Sequence, residues 1–342
     1  MSRDSAGLTA LPLGEADEKN MMPPARLHLF FVVVCMQSTD PPAGGPLCVD
    51  SVAPAASQRT MEVVIVTGAS RGYGRALSLE FARSATAPTT LVLLARSEAG
   101  LAATRAAVLA VAPGVLVRTV PLDLSDLAGL PAAWAGVLEQ LPAVWSRAYL
   151  LHNAGGAGRV GSVRSQPLDA AGVAALRATM DLDLLSPWLF TTLFLQAVEA
   201  RAAPAPGAGT SAASAAASAA SARSVIVTVS SLAAVAPFAT LAPYSVTRAA
   251  RDMLARVVGV EEGARSVATL NWAPGPMDSE LQREIRGAPA CDAGIRDFFT
   301  DMAAKGTFVD MATSAALCTK LVRTGAFESG AHLDYYDCIE KA

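Results

Sequence analysis

The chain has 342 residues, 52% of them hydrophobic and 17% charged, with a mean hydropathy of +0.37. That is too apolar for a disordered chain and sufficient for one large α/β domain with extra sequence, or for two domains. Lys+Arg of 27 against Asp+Glu of 30 gives a net charge of −3 with no basic run, so a nucleic-acid role has no electrostatic support.

Residues 1 to about 60 read differently from the rest. Pro23-Pro24, Pro41-Pro42 and Gly44-Gly45-Pro46 interrupt any long element. The one apolar run, Leu27–Met36, is ten residues long, about half of what a bilayer-spanning helix needs. Asp4, Glu15, Asp17 and Glu18 precede it, where a secretory signal carries basic residues. This part is expected to lie outside the fold, as a disordered or organelle-targeting extension, or because translation begins at Met61.

From Val63 the pattern alternates between strand and helix. Val63–Val66 is a fully apolar, β-branched run that predicts a buried strand, followed by a glycine-rich turn and a helix from about Arg75 to Ser84. Leu91–Leu94 and Val115–Val120 predict the second and third strands, with a helix over Leu101–Ala110 between them. Arg147–His152, Val225–Val229 and Thr269–Trp272 predict three more, with helices over Pro187–Ala200 and 244–258. Strands joined by helices imply right-handed crossovers and a parallel sheet, hence a Rossmann-type, doubly wound α/β domain over 61–342. Residues 202–224 are almost entirely Ala, Ser, Gly and Pro and predict a flexible insertion, with extension of the preceding helix as the alternative.

Five scattered cysteines (Cys35, Cys48, Cys291, Cys318, Cys338) contain no CxxC pair, so a reducing compartment is expected and a disulfide framework is not. His28, His152 and His332 stand at no metal-ligand spacing, and no metal is expected.

Gly68-Ala69-Ser70-Arg71-Gly72-Tyr73-Gly74 follows the first strand and opens a helix. Glycines there let backbone N–H groups approach a pyrophosphate. The second strand ends in Ala95-Arg96-Ser97. An arginine at that position suits a 2′-phosphate, as an acidic residue suits ribose hydroxyls, so Arg71 and Arg96 favour NADP(H) over NAD(H). Ser231 ends the fifth strand, and Tyr244 and Arg248 stand one helical turn apart. A tyrosine beside a cation can exchange a proton with a carbonyl or alcohol oxygen, which a serine opposite can hold.

The glycine loop, His152-Asn153-Ala154-Gly155, Ser231, Tyr244 and Pro274-Gly275-Pro276 stand in the order of the short-chain dehydrogenase/reductase family, which the chain resembles. Val229–Leu232, Ala249–Leu254, Asn271–Asp278 and Ser329–Asp337 look like its sepiapterin reductase branch, and the resemblance covers about 62–342 apart from the insertion. It implies that Gly68–Gly74 bind the pyrophosphate, that Arg96 and Ser97 lie near the adenosine phosphate, and that Asp123 and Leu124 flank the adenine. Asn153 and Arg248 would support the nicotinamide side, and Met277, Asp278, Ser279, Glu280, Leu281 and Gln282 would close over the cofactor. Ser231 would polarise the substrate carbonyl and Tyr244 would give the proton. Leu232, Gly275 and the acidic Asp334 would meet the substrate, Asp334 by accepting from the N–H groups of a pterin ring.

Three positions depart from the family pattern. Arg248 stands where the family has a lysine, Asp183 where it has an asparagine, and His152 where an asparagine is common. Arginine keeps the charge but is bulkier and stays protonated; an ionised aspartate accepts and does not donate. Asp183 and Arg248 are therefore expected to compensate each other, and His152 to be structural. The resemblance implies an NADPH-dependent reductase of a pterin side-chain ketone, cytoplasmic and homodimeric through the helices near Pro187–Ala200 and Ala249–Val260. Two alternatives stay open: the same chemistry on another small ketone or dicarbonyl, and a non-catalytic NADP(H)-binding protein.

Overall fold

The computed structural model describes residues 61–143, 145–201, 223–263 and 267–339. The extension at 1–60 and the insertion, save Arg223 and Ser224, lie outside these residues. Seven parallel strands form one sheet: β1 (Glu62–Thr67), β2 (Thr89–Ala95), β3 (Leu116–Pro121), β4 (Arg147–His152), β5 (Ser224–Val229), β6 (Val267–Ala273) and β7 (Ala331–Asp334), in the order 3-2-1-4-5-6-7. The helices are α1 (Gly72–Arg83), α2 (Glu98–Val111), α3 (Leu130–Glu139), α4 (Ala170–Met180), α5 (Ser186–Arg201), α6 (Ala242–Glu262), α7 (Glu280–Gly287), α8 (Ala293–Lys305), α9 (Met311–Thr324) and α10 (Tyr335–Ile339). The six expected strands are present, and β7 is an addition to them.

The central strands are apolar on both faces because helices cover both. On one face Val64, Val66, Leu91, Tyr149, Leu151 and Trp272 pack with Leu77 and Phe81 of α1 and Leu317 and Val322 of α9. On the other, Val63, Ile65, Leu94, Leu150 and Ile226 pack with Trp134 of α3, Phe190 and Phe194 of α5 and Val258 of α6. Trp134 and Phe190 meet edge to face at 5.4 Å, a contact worth about 0.5–1.5 kcal/mol beyond its area. Trp134, Trp145 and Trp272 are buried as core residues, whereas Trp188 is half exposed.

Two local features differ from the periodic pattern. Helix α1 begins at Gly72, so three residues expected in the turn form its first helical turn. Between α4 and α5 the chain makes a π-helical turn, Asp181–Leu185, in which the Ser186 N–H donates to the Asp181 carbonyl five residues back. Pro187 accounts for it: proline has no N–H for the Asp183 carbonyl, and its ring crowds that oxygen.

Candidate active site

Because every strand is parallel, all seven C-terminal ends lie along one edge of the sheet, where open α/β sheets bind ligands. That edge carries Gly68 after β1, Arg96 after β2, Asp123 after β3, Asn153 after β4, Ser231 after β5, Gly275 after β6 and Asp334 at the end of β7. The strand order reverses between β1 and β4, which sets a crevice between the glycine turn and the His152–Gly155 loop.

The glycine turn has the form of an anion cradle. Gly68 (φ 67°) and Gly72 (φ 54°) take left-handed conformations. A Cβ on Gly74 would lie 2.3 Å from the Gly68 carbonyl oxygen, so only glycine lets the helix start this close to the strand. A Cβ on Gly72 would meet nothing within 4 Å, so the turn opens on free space there. No side chain caps the first turn of α1, and none of its residues is acidic, so its N–H groups and the helix dipole suit a phosphate. Asn153 Nδ2 donates to the carbonyls of Thr67 (3.0 Å) and Gly68 (3.3 Å), tying the β4 loop to this turn. Ala69 is buried and its N–H donates to Leu94, while the Tyr73 side chain points inward, its hydroxyl accepting from Trp272 Nε1 (2.8 Å) beside Ser314 Oγ (3.1 Å). Only the main chain of Tyr73 is left for the crevice.

At the adenosine side Arg96 is exposed and Ser97 caps α2, accepting from the Gly100 N–H at 3.1 Å. A Cβ on Gly100 would lie 2.7 Å from Ser70 Cβ, so this glycine seats Ser70. The Ser125 backbone and hydroxyl hold the Asp123 carboxyl below the usual range, with a smaller pull from Arg96; Leu124 beside it is buried. Across the groove Arg71 forms an ion pair with Glu280 at the start of α7. Ser279 caps that helix by accepting from the Gln282 N–H (3.1 Å), Asp278 pairs with Arg283 (3.1 Å), and Met277 is buried. Leu281 packs in the small cluster that contains Tyr244, Leu241 and Cys291.

The catalytic candidates meet beneath this crevice. Arg248 Nη1 donates to Asp183 Oδ1 at 3.0 Å, and its guanidinium carbon lies 4.8 Å from the centre of the Tyr244 ring. Asp183, presented by the π turn, also accepts from the Gly156 N–H at 3.2 Å. Asp183 and Arg248 are both almost wholly buried. Burial opposes the Arg248 charge, but Tyr244 and Asp183 together outweigh it and hold the guanidinium pKa above its usual value. A Cβ on Gly155 would lie 2.3 Å from Asp183 Oδ1 and 2.5 Å from Arg248 Nη2, so the loop glycine makes room for the pair. Sequence reasoning missed a second buried cation, Arg251, 3.9 Å from Asp183. It donates to the carbonyls of His152 (2.6 Å), at the end of β4, and Ala154 (3.2 Å), in the loop that follows. His152 itself is buried against Thr191 Oγ1 at 3.0 Å. Burial, aided by Arg251, pushes its pKa down to about 3, so it packs as a neutral ring.

On the substrate side, Ser231 Oγ accepts from the Ala233 N–H (3.1 Å) and Leu232 is half exposed. Gly275 has φ 80°, and a Cβ there would lie 2.8 Å from Val309 Cγ2. Asp334 Oδ1 accepts from the Tyr336 N–H at 2.9 Å, at the start of α10.

Residues 62–290 match the family model described as short chain dehydrogenase. A sepiapterin reductase of Meriones unguiculatus is 33% identical over 276 residues, which are 80% of this chain and 96% of that protein. Among solved structures, an actinorhodin polyketide ketoreductase variant with NADPH aligns with a TM-score of 0.61 at 18% identity, covering 80% of this chain and 95% of its own. A 3-oxoacyl-[acyl-carrier protein] reductase from Brucella melitensis, in complex with NAD, aligns with a TM-score of 0.60 at 18% identity, over 82% and 96% of the two chains.

Proposed function

The chain belongs to the short chain dehydrogenase family of oxidoreductases, and from that premise we propose that it is an NADPH-dependent reductase of the side-chain ketone of a pterin. The observation that carries the pterin reading is Asp334. A carboxylate ends β7, in register with Ala273, at the sheet edge that also holds Ser231 and the start of α6. It suits the N–H and amino groups of a pterin ring. The likeness to a sepiapterin reductase supports the same substrate. Exposed Arg96 and Arg71, with no acidic residue at the end of β2, support NADPH, since solved relatives of this fold hold either NADPH or NAD.

When bound, the nicotinamide supplies a hydride to the carbonyl carbon. The glycine turn and the uncapped start of α1 would hold its pyrophosphate, and Asn153 with the β4 loop would back its nicotinamide half. The Ser231 hydroxyl holds the carbonyl oxygen, and the Tyr244 hydroxyl gives it the proton that completes the alcohol. The Arg248 guanidinium, over the Tyr244 ring, balances the charge that develops on the phenol as that proton leaves. Arg251 adds a second buried guanidinium beside the same carboxylate.

The reading extends to a cytoplasmic homodimer, the compartment resting on the scattered cysteines. Val246, Met253, Val257 and Val260 share one exposed face of α6, and Trp188 is exposed on α5, which supports self-association through these helices. Among the described residues no helix is long and apolar enough to cross a membrane.

The test is NADPH consumption by the full chain offered sepiapterin, with NADH in parallel. Turnover with NADPH that collapses in Asp334→Ala is the expected result. Saturable NADPH binding without turnover of sepiapterin or of a small dicarbonyl would instead mark a cofactor-binding protein.

A further inference from the structure

Ser230, Asp252 and His332 form a polar cluster that the chemistry above does not use. Asp252 of α6 accepts from Ser230 Oγ at 2.6 Å through Oδ1, and its Oδ2 lies 2.5 Å from His332 Nδ1 on β7. A carboxylate only accepts, so Nδ1 carries the proton. The Asp252 main-chain carbonyl accepts from Asn271 Nδ2 of β6 at 3.2 Å. One aspartate thus fastens the ends of three adjacent strands. His332 Nε2 is buried without a partner among the described residues, which leaves Asp252 as the group that orients the ring.

We propose that Asp252 and His332 are positioning residues for substrate choice: they fix the end of β7, and with it Asp334, relative to Ser231. The inference rests on the pterin reading above. Strand β7 has four residues and pairs on one side only, with β6, so its own ladder holds it weakly. Successive residues of a strand face opposite sides, so His332 and Asp334 share the face turned to α6, while Leu333 packs on the opposite core. Helix α6 starts at the edge where β5 ends and runs back toward the start of β6, so Tyr244 lies about two turns from Asp252 toward that same edge. A displacement of His332 is therefore passed along two residues of strand to Asp334. On the other side of Asp252, Ser230 precedes Ser231 directly.

The docking of α6 on β7 is close along its length. A Cβ on Gly259 would lie 3.0 Å from Thr269 Oγ1 and 3.1 Å from Ser329 Oγ. Gly330, at φ 86°, donates to the Thr269 carbonyl at 2.7 Å. The glycines set how near the start of β7 approaches the helix, and the Asp252–His332 contact sets its end.

The test uses the full chain with His332→Leu, His332→Asn and Asp252→Asn, each alone and the first also combined with Asp334→Ala. The measured quantities are the KM and kcat for sepiapterin and the Kd for NADPH. His332→Leu and Asp252→Asn are expected to raise the sepiapterin KM about tenfold, with kcat and NADPH Kd within about twofold. His332→Asn keeps a donor at the Nδ1 position and is expected to restore the KM, and His332→Leu should add nothing once Asp334 is alanine. Equal losses in kcat and KM, a raised NADPH Kd, or additive effects with Asp334→Ala would overturn the positioning role. If His332→Leu fails to fold, Asp252→Asn and the asparagine rescue carry the same comparison. Failure of the wild-type chain to reduce sepiapterin would overturn the pterin reading itself, a different outcome from equal losses in the variants.

Discussion

Asp183 and Arg248 stand 3.0 Å apart, one on a π turn and the other on α6, at the two positions where the sequence departs from an asparagine and a lysine. Both replacements add or keep a charge in a buried place, and each charge has the other as its partner. Breaking a buried pair by removing one member costs about 3–5 kcal/mol, because the remaining charge is stranded.

Asp183→Asn and Arg248→Lys are therefore expected to be coupled. Each single variant should lose about tenfold or more in kcat/KM, and the double variant, which restores the family pattern, should recover much of it. The coupling energy expected from such a cycle is about 1–3 kcal/mol. NADPH oxidation and urea denaturation of all four proteins measure it, and strictly additive effects would refute the pairing.

Gly155→Ala tests the same pair from the loop side. The added methyl would fall within 2.5 Å of both Asp183 Oδ1 and Arg248 Nη2. Overpacking of this kind costs about 1–3 kcal/mol, and the displaced arginine should lower kcat more than it raises the NADPH Kd. A variant with wild-type kcat and melting temperature would show that the loop yields freely.

His152 should make the fold sensitive to acid. Its pKa, pushed down to about 3 by burial and by Arg251, is below the ordinary 6.5 of the unfolded chain. Between these values the unfolded state binds a proton that the folded state does not, so stability falls as pH drops from about 6.5 toward 3. By pH 4.5 the loss from this one residue is about 2–3 kcal/mol. His152→Gln, whose amide reaches the Nε2 position and can still bond Thr191, should remove that slope from a series of urea midpoints measured between pH 7 and 4.5. An unchanged slope would place the acid sensitivity elsewhere.

Arg96→Ala should weaken NADPH about tenfold or more while leaving NADH within about twofold, the loss expected for a charge-assisted hydrogen bond to a 2′-phosphate. Fluorescence titration with both cofactors is the measurement. Equal weakening of the two would remove Arg96 from phosphate recognition.

Much of this architecture was legible because it is local. Val63–Val66 and Val225–Val229 are β-branched runs that need two covered faces, and the glycine turn directly follows one of them. Strand β7 was not legible: Ala331–Asp334 alternates over only four residues, two of them polar, and becomes a strand by pairing with β6. The start of α1 at Gly72 was hidden for a similar reason, since glycine is a poor helix former and is helical here because of the turn around it. Arg251 and Asp252 carry no local signal of burial; both are buried because α6 packs along the face of the sheet. Asp183 stood out by comparison with the family pattern, but its contact with Arg248 depends on the π turn, and Pro187 reads in the sequence as the start of a helix and not as the cause of such a turn.

That turn makes the site depend on how many residues separate two helices, as well as on which residues they are. A π turn holds one residue more than the α-helix it interrupts, and each helical residue accounts for about 100° of rotation. Deleting one of the five residues 181–185 would therefore leave a plain α-helix with α4 and α5 still in phase, yet it would remove the bulge that presents the Asp183 carboxylate to Arg248.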